Sequence, residues 1–289
     1  MKRLLIVTAT LLVLMGTTWA GDVEDADVAY KVADYATALA KYRNAALRGD
    51  VYAQFQVATI FDKGLGVEVN YTEAVKWFKL AAAQGSQSAQ TNLGLMYAVG
   101  HGVVQDYIES IRWSRLAAGQ GNSAAQFNLG HRYEFGQGVV KDYVSAAKWY
   151  RLAATQGHAD AQTCLGTLYE DGHGVEQNYA TAAKWYRLAA AQGDLNAMAN
   201  IGVQYKRGRG VDQNFTEAVK WLRRAADEDH AGAQVILGNM YADGQGVPRD
   251  SRLRQLIAKF RLFWPAAPMK STTYKRFSEN MCNGTFCYL

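Results

Sequence analysis

Cysteine is scarce: the 289 residues hold three, at 164, 282 and 287. None stands in the close pair of a zinc site, and the five histidines include no His-x-x-x-His spacing, so no metal centre is expected. A catalytic cysteine would need a histidine and a polar orienting group brought to it. The sequence places neither beside Cys164, which is expected as a buried thiol inside a helix. Cys282 and Cys287 flank the turn-forming pair Asn283-Gly284 and make a candidate small disulfide loop. An apolar run able to span a bilayer is missing too, because Leu4 to Met15 falls short of the roughly 20 residues needed and no second candidate follows.

That short run follows Lys2 and Arg3 and precedes Thr18-Trp19-Ala20, the three parts of a secretory signal peptide. Cleavage after Ala20 and a periplasmic or secreted mature chain are expected, and the lack of a cysteine behind the run argues against a lipid anchor. A basic face is also wanting. The formal charge of +5 sits at the ends: residues 21 to 248 carry 21 basic and 24 acidic side chains, a net of −3. Such a body does not offer nucleic acid the positive field it requires, so no nucleic-acid partner is expected.

Glycine, by contrast, is plentiful and periodic. Gly64, Gly100, Gly136, Gly172, Gly208 and Gly244 form one column at a spacing of 36, and two residues on a second column, each glycine followed by Val, runs from Gly66 to Gly246. The segment KWYRLAA occurs twice, at 148–154 and 184–190. Five complete copies of the unit span Val51 to His230, with a half copy before them from Asp34 and a degraded copy after. Such a period decides the architecture. Within a copy the apolar columns have helical spacing, as in Ala89, Leu93 and Tyr97 or Tyr143, Ala146, Tyr150 and Ala153. Each copy reads as two helices, A and B, joined at a Gly-x-Gly-Val turn where helix A stops. Asn70, Asp106, Asp142, Asn178, Asn214 and Asp250 stand at the start of helix B as N-caps, and Glu73, Glu109 and Glu217 are placed to complete capping boxes. One pair has no second face to bury its large side chains, so pairs must stack.

The unit ADAQTCLGTLYEDGHGVEQNYATAAKWYRLAAAQG, residues 159 to 193, resembles the Sel-one-like repeat, a relative of the tetratricopeptide repeat. The resemblance covers residues 34 to 250 and implies an all-α, right-handed superhelical solenoid that serves other proteins as an adaptor, with no reaction and no cofactor. Cys pairs found in each unit of some exported members are absent here.

The Gly-x-Gly-Val turns do not make a dinucleotide site, which needs a preceding strand and a third glycine. His101 and His173 share one column, His158 and His230 another, too far apart to hold a common ion, and His131 stands alone. Helix A carries the partner reading. Its core columns are nearly constant between copies while the opposite columns vary. In the third copy Phe127, His131 and Phe135 lie at i, i+4, i+8 on that outward side, and Phe55 and Leu95 extend it into the first two. An apolar patch of this kind marks a docking site for a partner peptide or helix; the alternative is that neighbouring units cover the rings. A bordering column, Gln56, Asn92, Asn128, Cys164 and Asn200, is placed either to grip a ligand backbone or to bond the adjacent turn. Two basic columns on helix B, Lys76 to Lys220 and Lys79 to Arg223, read as a solvated face complementing the helix dipole, with a stripe for an anionic partner as the alternative.

After Val247 the pattern fails. Leu253, Leu256, Ile257, Phe260 and Phe263 still form an apolar helical stripe, expected as a capping helix over 251–264, with an amphipathic membrane contact as the alternative. The domain reading is a signal peptide (1–20), a lead-in (21–33), the repeat solenoid (34–250), the cap helix and a tail (265–289). The functional expectation is a non-enzymatic protein-binding scaffold of the bacterial envelope. Alternatives are a secreted effector that binds a host protein, and a cell-wall or β-lactam hydrolase, for which no convergent nucleophile, base and orienting group is found.

Overall fold

The computed structural model describes residues 21–247. The signal peptide, Asp250, the cap helix, the tail and the Cys282–Cys287 loop lie outside the described residues. Among the described residues there are thirteen α-helices and no strand. Helix α1 covers 21–31. The A helices are α3 (Val51–Lys63), α5 (Gln87–Val99), α7 (Ser123–Phe135), α9 (Ala159–Asp171), α11 (Leu195–Arg207) and α13 (Ala231–Asp243). The B helices are α2 (Tyr35–Leu47), α4 (Tyr71–Ala83), α6 (Tyr107–Gly119), α8 (Tyr143–Thr155), α10 (Tyr179–Ala191) and α12 (Phe215–Asp227).

Helix α1 does not obey the repeat. The long Gly-x-Gly-Val connection is cut to Val32, Ala33 and Asp34, and Ala33 takes the left-handed turn conformation with φ 61°. Its Ala26 and Ala29 are nonetheless buried in the core against the first units, and the Tyr42 hydroxyl donates to Asp27.

Two compact units divide the chain. Within the described residues the first runs to Arg132 and includes Gly136–Lys141; the second takes Tyr133–Phe135 and continues from Asp142. The core of the first is built of alanines with Val57, Phe78 and Leu93, and that of the second of alanines with Tyr186, Ile201 and Leu222. Small side chains bring the helices of a pair together. Gly166 of α9 is the extreme case, because a Cβ there would stand 2.6 Å from Cε1 of Tyr186. Between pairs the second turn glycine does the same. Gly174 has φ +67°, and a Cβ would lie 2.3 Å from the Tyr143 carbonyl oxygen at the start of the previous helix B. These two contacts are why glycine stands at 166 and at 174.

Every helix A from α3 to α13 begins at a side-chain cap. Asp50, Ser86, Asn122, His158, Asp194 and His230 accept from the backbone N–H three residues on. On helix B, Asn70, Asp106, Asp142, Asn178 and Asn214 cap as expected. The reciprocal arm expected of the capping boxes does not form. The N–H groups of Asn70, Asp106 and Asn214 already donate to the carbonyls of Phe61, Tyr97 and Tyr205 in helix A. Glu73, Glu109 and Glu217 instead accept from Lys76, Arg112 and Lys220 one turn ahead.

A glutamine column threads the pairs together. Gln90 Nε2 donates to the Ala82 carbonyl at the end of α4 (3.1 Å), and its Oε1 accepts from Gln120 at the end of α6 (2.8 Å). Gln54 and Gln162 repeat both bonds in their own units. Each buried amide thus satisfies a carbonyl left over at a helix terminus and holds three successive helices in register.

Candidate partner-binding surface

Helix A carries the positions in question, on columns that the sequence reading assigns to the side away from its own helix B. Phe55 packs against Phe78 of α4, ring centroids 5.7 Å apart, and lies on the rim of the hydrophobic core. Its ring packs on its own helix B instead of facing away from it, which takes Phe55 off the outward side that the sequence reading gave it. Leu95 on α5 is 36% exposed. On α7, Phe127 and His131 are half-buried neighbours with centroids 6.5 Å apart. Phe135, the last residue of α7, is half-buried and falls in the second unit. Leu95 and Val99 occupy the places in α5 that His131 and Phe135 occupy in α7. Val99 is exposed as well, a residue that sequence reasoning passed over.

The amide column is half-buried throughout: Asn92, Asn128, Cys164 and Asn200. Gln56, at its head, donates to the Tyr52 hydroxyl at 2.6 Å, and Tyr52 in turn donates to Asp27 at 3.0 Å. That member is spent inside the protein. The smaller, more adaptable Asn92 and Asn128 flank the Leu95 and Phe127 region of the first unit.

The basic columns on helix B have a role beyond the helix dipole. Arg151 and Arg187 donate to the hydroxyls of Tyr169 and Tyr205 at 2.8 and 3.2 Å, and Arg223 does so to Tyr241. Lys79 sits over the Tyr97 ring at 5.5 Å. Each cation reaches the helix A of the following unit, a tie between pairs that combines hydrogen bonding with cation–π attraction. The turn histidines also pack on aromatics: His101 stacks on Tyr71 at 4.2 Å and His173 on Tyr143 at 4.5 Å. His158 and His230 are caps. Their imidazoles are biased toward the neutral form by burial, with Asp160 opposing that shift at His158. In the second unit Tyr186 donates to Glu170 at 2.9 Å, while burial pushes the Glu170 carboxyl up.

Among the described residues no group of three or more His, Cys, Asp and Glu is gathered so as to hold a metal ion, and no described helix is long and apolar enough to cross a membrane. What the surface offers is a band of aliphatic and aromatic side chains edged by amides, a chemistry of association.

Two solved structures align with most of the chain. One is a Sel1 repeat protein from Oxalobacter formigenes, 35% identical, with a TM-score of 0.74 over 82% of this chain and 98% of that one. The other is a protective antigen present in uropathogenic Escherichia coli strains and displaying an SLR fold, 36% identical, with a TM-score of 0.72 over 76% of this chain. This chain spans about half, 47%, of that antigen's length. No curated protein matches the sequence. The Sel1 repeat model matches residues 51–86, 87–122, 123–158, 159–194, 195–230 and 231–253, copy for copy with the glycine period. With its helix pairs, its register and two such relatives in agreement, the chain belongs to the Sel1 repeat family.

Proposed function

We propose that the protein is an exported, non-enzymatic scaffold of a bacterial envelope which holds a partner peptide or helix on the helix A side of its first unit. Sel1 repeat proteins generally act as scaffolds for protein–protein interaction, and export rests on the signal-peptide pattern of residues 1 to 20. The observation that carries the site is Leu95. A leucine 36% exposed, with Val99 beside it and Phe127 and His131 half-buried two helices on, is poorly suited to plain solvation and well suited to an apolar anchor. Asn92 and Asn128 supply adaptable hydrogen bonds at its border, while Phe135 and Asn200 belong to the second unit and add the same chemistry there.

The test compares native protein with a Leu95→Ala, Phe127→Ala, His131→Ala variant of unchanged helix content as bait for envelope extracts. A partner retained by the native chain and lost by the variant supports the reading. Equal recovery of the same proteins by both removes the site. Turnover of a cell-wall substrate by the purified native protein removes the non-enzymatic reading.

A further inference from the structure

The turn that leads into helix B follows two patterns around its cap. Where the cap is an asparagine, an acid stands two residues before it: Glu68 with Asn70, Glu176 with Asn178 and Asp212 with Asn214. Where the cap is Asp106 or Asp142, that place holds Val104 or Val140. One carboxylate in each turn, since like charges repel, accounts for the alternation. Two residues beyond the cap the fold is indifferent to the side chain. Thr72, Ile108, Val144, Ala180 and Thr216 share that column, and all five are exposed.

The cap therefore explains the asparagines and the charge explains the acids, but neither selects the threonines. With them, two turns read acid-x-Asn-x-Thr: Glu68 to Thr72 on the first unit and Asp212 to Thr216 on the second. Asn-x-Thr with no proline in the middle is the acceptor sequence for N-linked sugar on an exported protein, and bacterial transferases also read an acid two residues before the asparagine. In both turns the acid, the asparagine and the threonine are exposed. The cap engages only Oδ1, which accepts from the N–H of Glu73 or Glu217 at 3.0 Å. Among the described residues no bond engages either amide nitrogen, Nδ2, or the Thr72 and Thr216 hydroxyls. Asp212 and Asn214 also line an open depression with Arg187 and Tyr205, where a first sugar has room beside α12.

We propose that Asn70 and Asn214 are acceptors of an N-linked oligosaccharide. The inference rests on the exported reading, because the donor, an oligosaccharide on a polyprenyl pyrophosphate, is used on the outer side of the inner membrane. Nδ2 forms a bond to the anomeric carbon of the sugar while the bond from that carbon to the pyrophosphate oxygen breaks. The lipid pyrophosphate leaves with the electron pair, and a carboxylate of the transferase takes the Nδ2 proton. The product keeps Oδ1, so the caps of α4 and α12 survive the modification.

The fourth unit is a built-in control: Asn178 has its acid and its cap but Ala180 in place of the threonine. Another Asn-x-Thr, at Asn283, has Met281 in the acid's place and lies outside the described residues. The experiment expresses the full chain in a bacterium that carries an oligosaccharyltransferase and its lipid-linked oligosaccharide, and reads intact mass and peptide maps. The native chain is expected to carry sugar at Asn70 and Asn214 and none at Asn178. Thr72→Ala/Thr216→Ala, a change Ala180 shows the fold accepts, should lose both sugars, and Ala180→Thr should gain one at Asn178. A native chain cut after Ala20 with both asparagines bare overturns the proposal and leaves export standing. A bare chain that retains residues 1–20 overturns both. Sugar that persists in the Thr→Ala variant, or that occupies Asn283 alone, also overturns the assignment.

Discussion

The hydroxyl of Tyr186 donates to Oε2 of Glu170 across the interface of α10 and α9, at 2.9 Å. Tyr150 makes the same bond to Glu134 one unit earlier, at 2.6 Å. In the first unit the same column holds Tyr42, Phe78 and Ser114; the Tyr42 hydroxyl donates to Asp27 of α1, and Phe78 and Ser114 offer no phenol. Acid and phenol thus occur together along the repeat.

Because Phe78 occupies that column without steric difficulty, Tyr186→Phe removes the hydroxyl's bonds to Glu170 and to Thr167 Oγ1 (3.2 Å) and little else. Its cost is expected to be about 1.5 kcal/mol at neutral pH, the low end for a bond to a charged group, read from chemical denaturation. Burial raises the Glu170 carboxyl above its ordinary 4.5 while Tyr186 opposes the shift. An acid whose folded pKa is raised binds its proton more tightly folded than unfolded, so its ionisation weakens the fold as pH rises through that value. Glu170→Gln keeps an acceptor for Tyr186 and removes the charge. It is expected to match or exceed native stability at pH 7, with the gap closing below about pH 4.5.

Asp229 takes φ 62° where Gly49, Gly85, Gly121, Gly157 and Gly193 take 90 to 99°. The turn after helix B demands a left-handed residue in every unit, and the last described unit meets the demand with an aspartate. Asp229→Gly is expected to stabilise by about 0.5 kcal/mol and Asp229→Val to destabilise by about 1–2 kcal/mol, measured as opposite shifts of the denaturation midpoint at unchanged slope.

The glutamine column predicts energetic coupling. In the fifth unit both partners change together: Met198 stands where Gln54, Gln90 and Gln162 stand, and Glu228 where Gln84, Gln120 and Gln192 stand. Gln90→Met should cost about 1–2 kcal/mol, because the Gln120 amide loses its acceptor and the end of α4 loses a donor. A double-mutant cycle of Gln90→Met with Gln120→Ala should return a coupling of about 0.5–1 kcal/mol. A coupling of zero would mean that the amides act independently of each other.

Helix boundaries and the stack were legible in the chain because local chemistry enforces them. Gly64 and Gly66 must turn left-handed, and Asn70 or Asp106 must cap. The period of 36 then shows that no pair closes a core alone. What one helix cannot reveal is which of its columns meets another helix. The column of Phe55 reads as facing away from helix B, yet Phe55 packs on Phe78 of its own helix B. The stitch from Gln90 to Gln120 joins residues 30 apart and the Tyr186–Glu170 bond residues 16 apart. Both need the helices placed before either is visible. The capping-box motif misled for a related reason: the N–H it was to satisfy already belonged to helix A.

The histidine caps give the fold an acid limit that can be isolated. His230 Nδ1 accepts from the Ala233 N–H at 2.9 Å, so its Nε2 carries the proton and donates to Asn196 Oδ1 at 3.0 Å. Protonation would turn the acceptor into a second donor facing an N–H and the positive end of α13. Burial accordingly holds the imidazole below its ordinary 6.5. A histidine whose folded pKa is lowered contributes stability that is fully present above its unfolded value and is lost as pH falls. Asn122 caps α7 from the same position, so His230→Asn keeps the cap without the titration. Native and variant should unfold within about 0.5 kcal/mol of each other at pH 8, given the similar rank of these caps. The native chain should then fall behind as pH drops from about 6.5 toward 5. Asp194 and Glu170, both raised by burial, push stability the other way in both proteins, so the difference between the two chains reports the imidazole alone. A difference that stays flat across that range would show that Nδ1 does not serve as the cap.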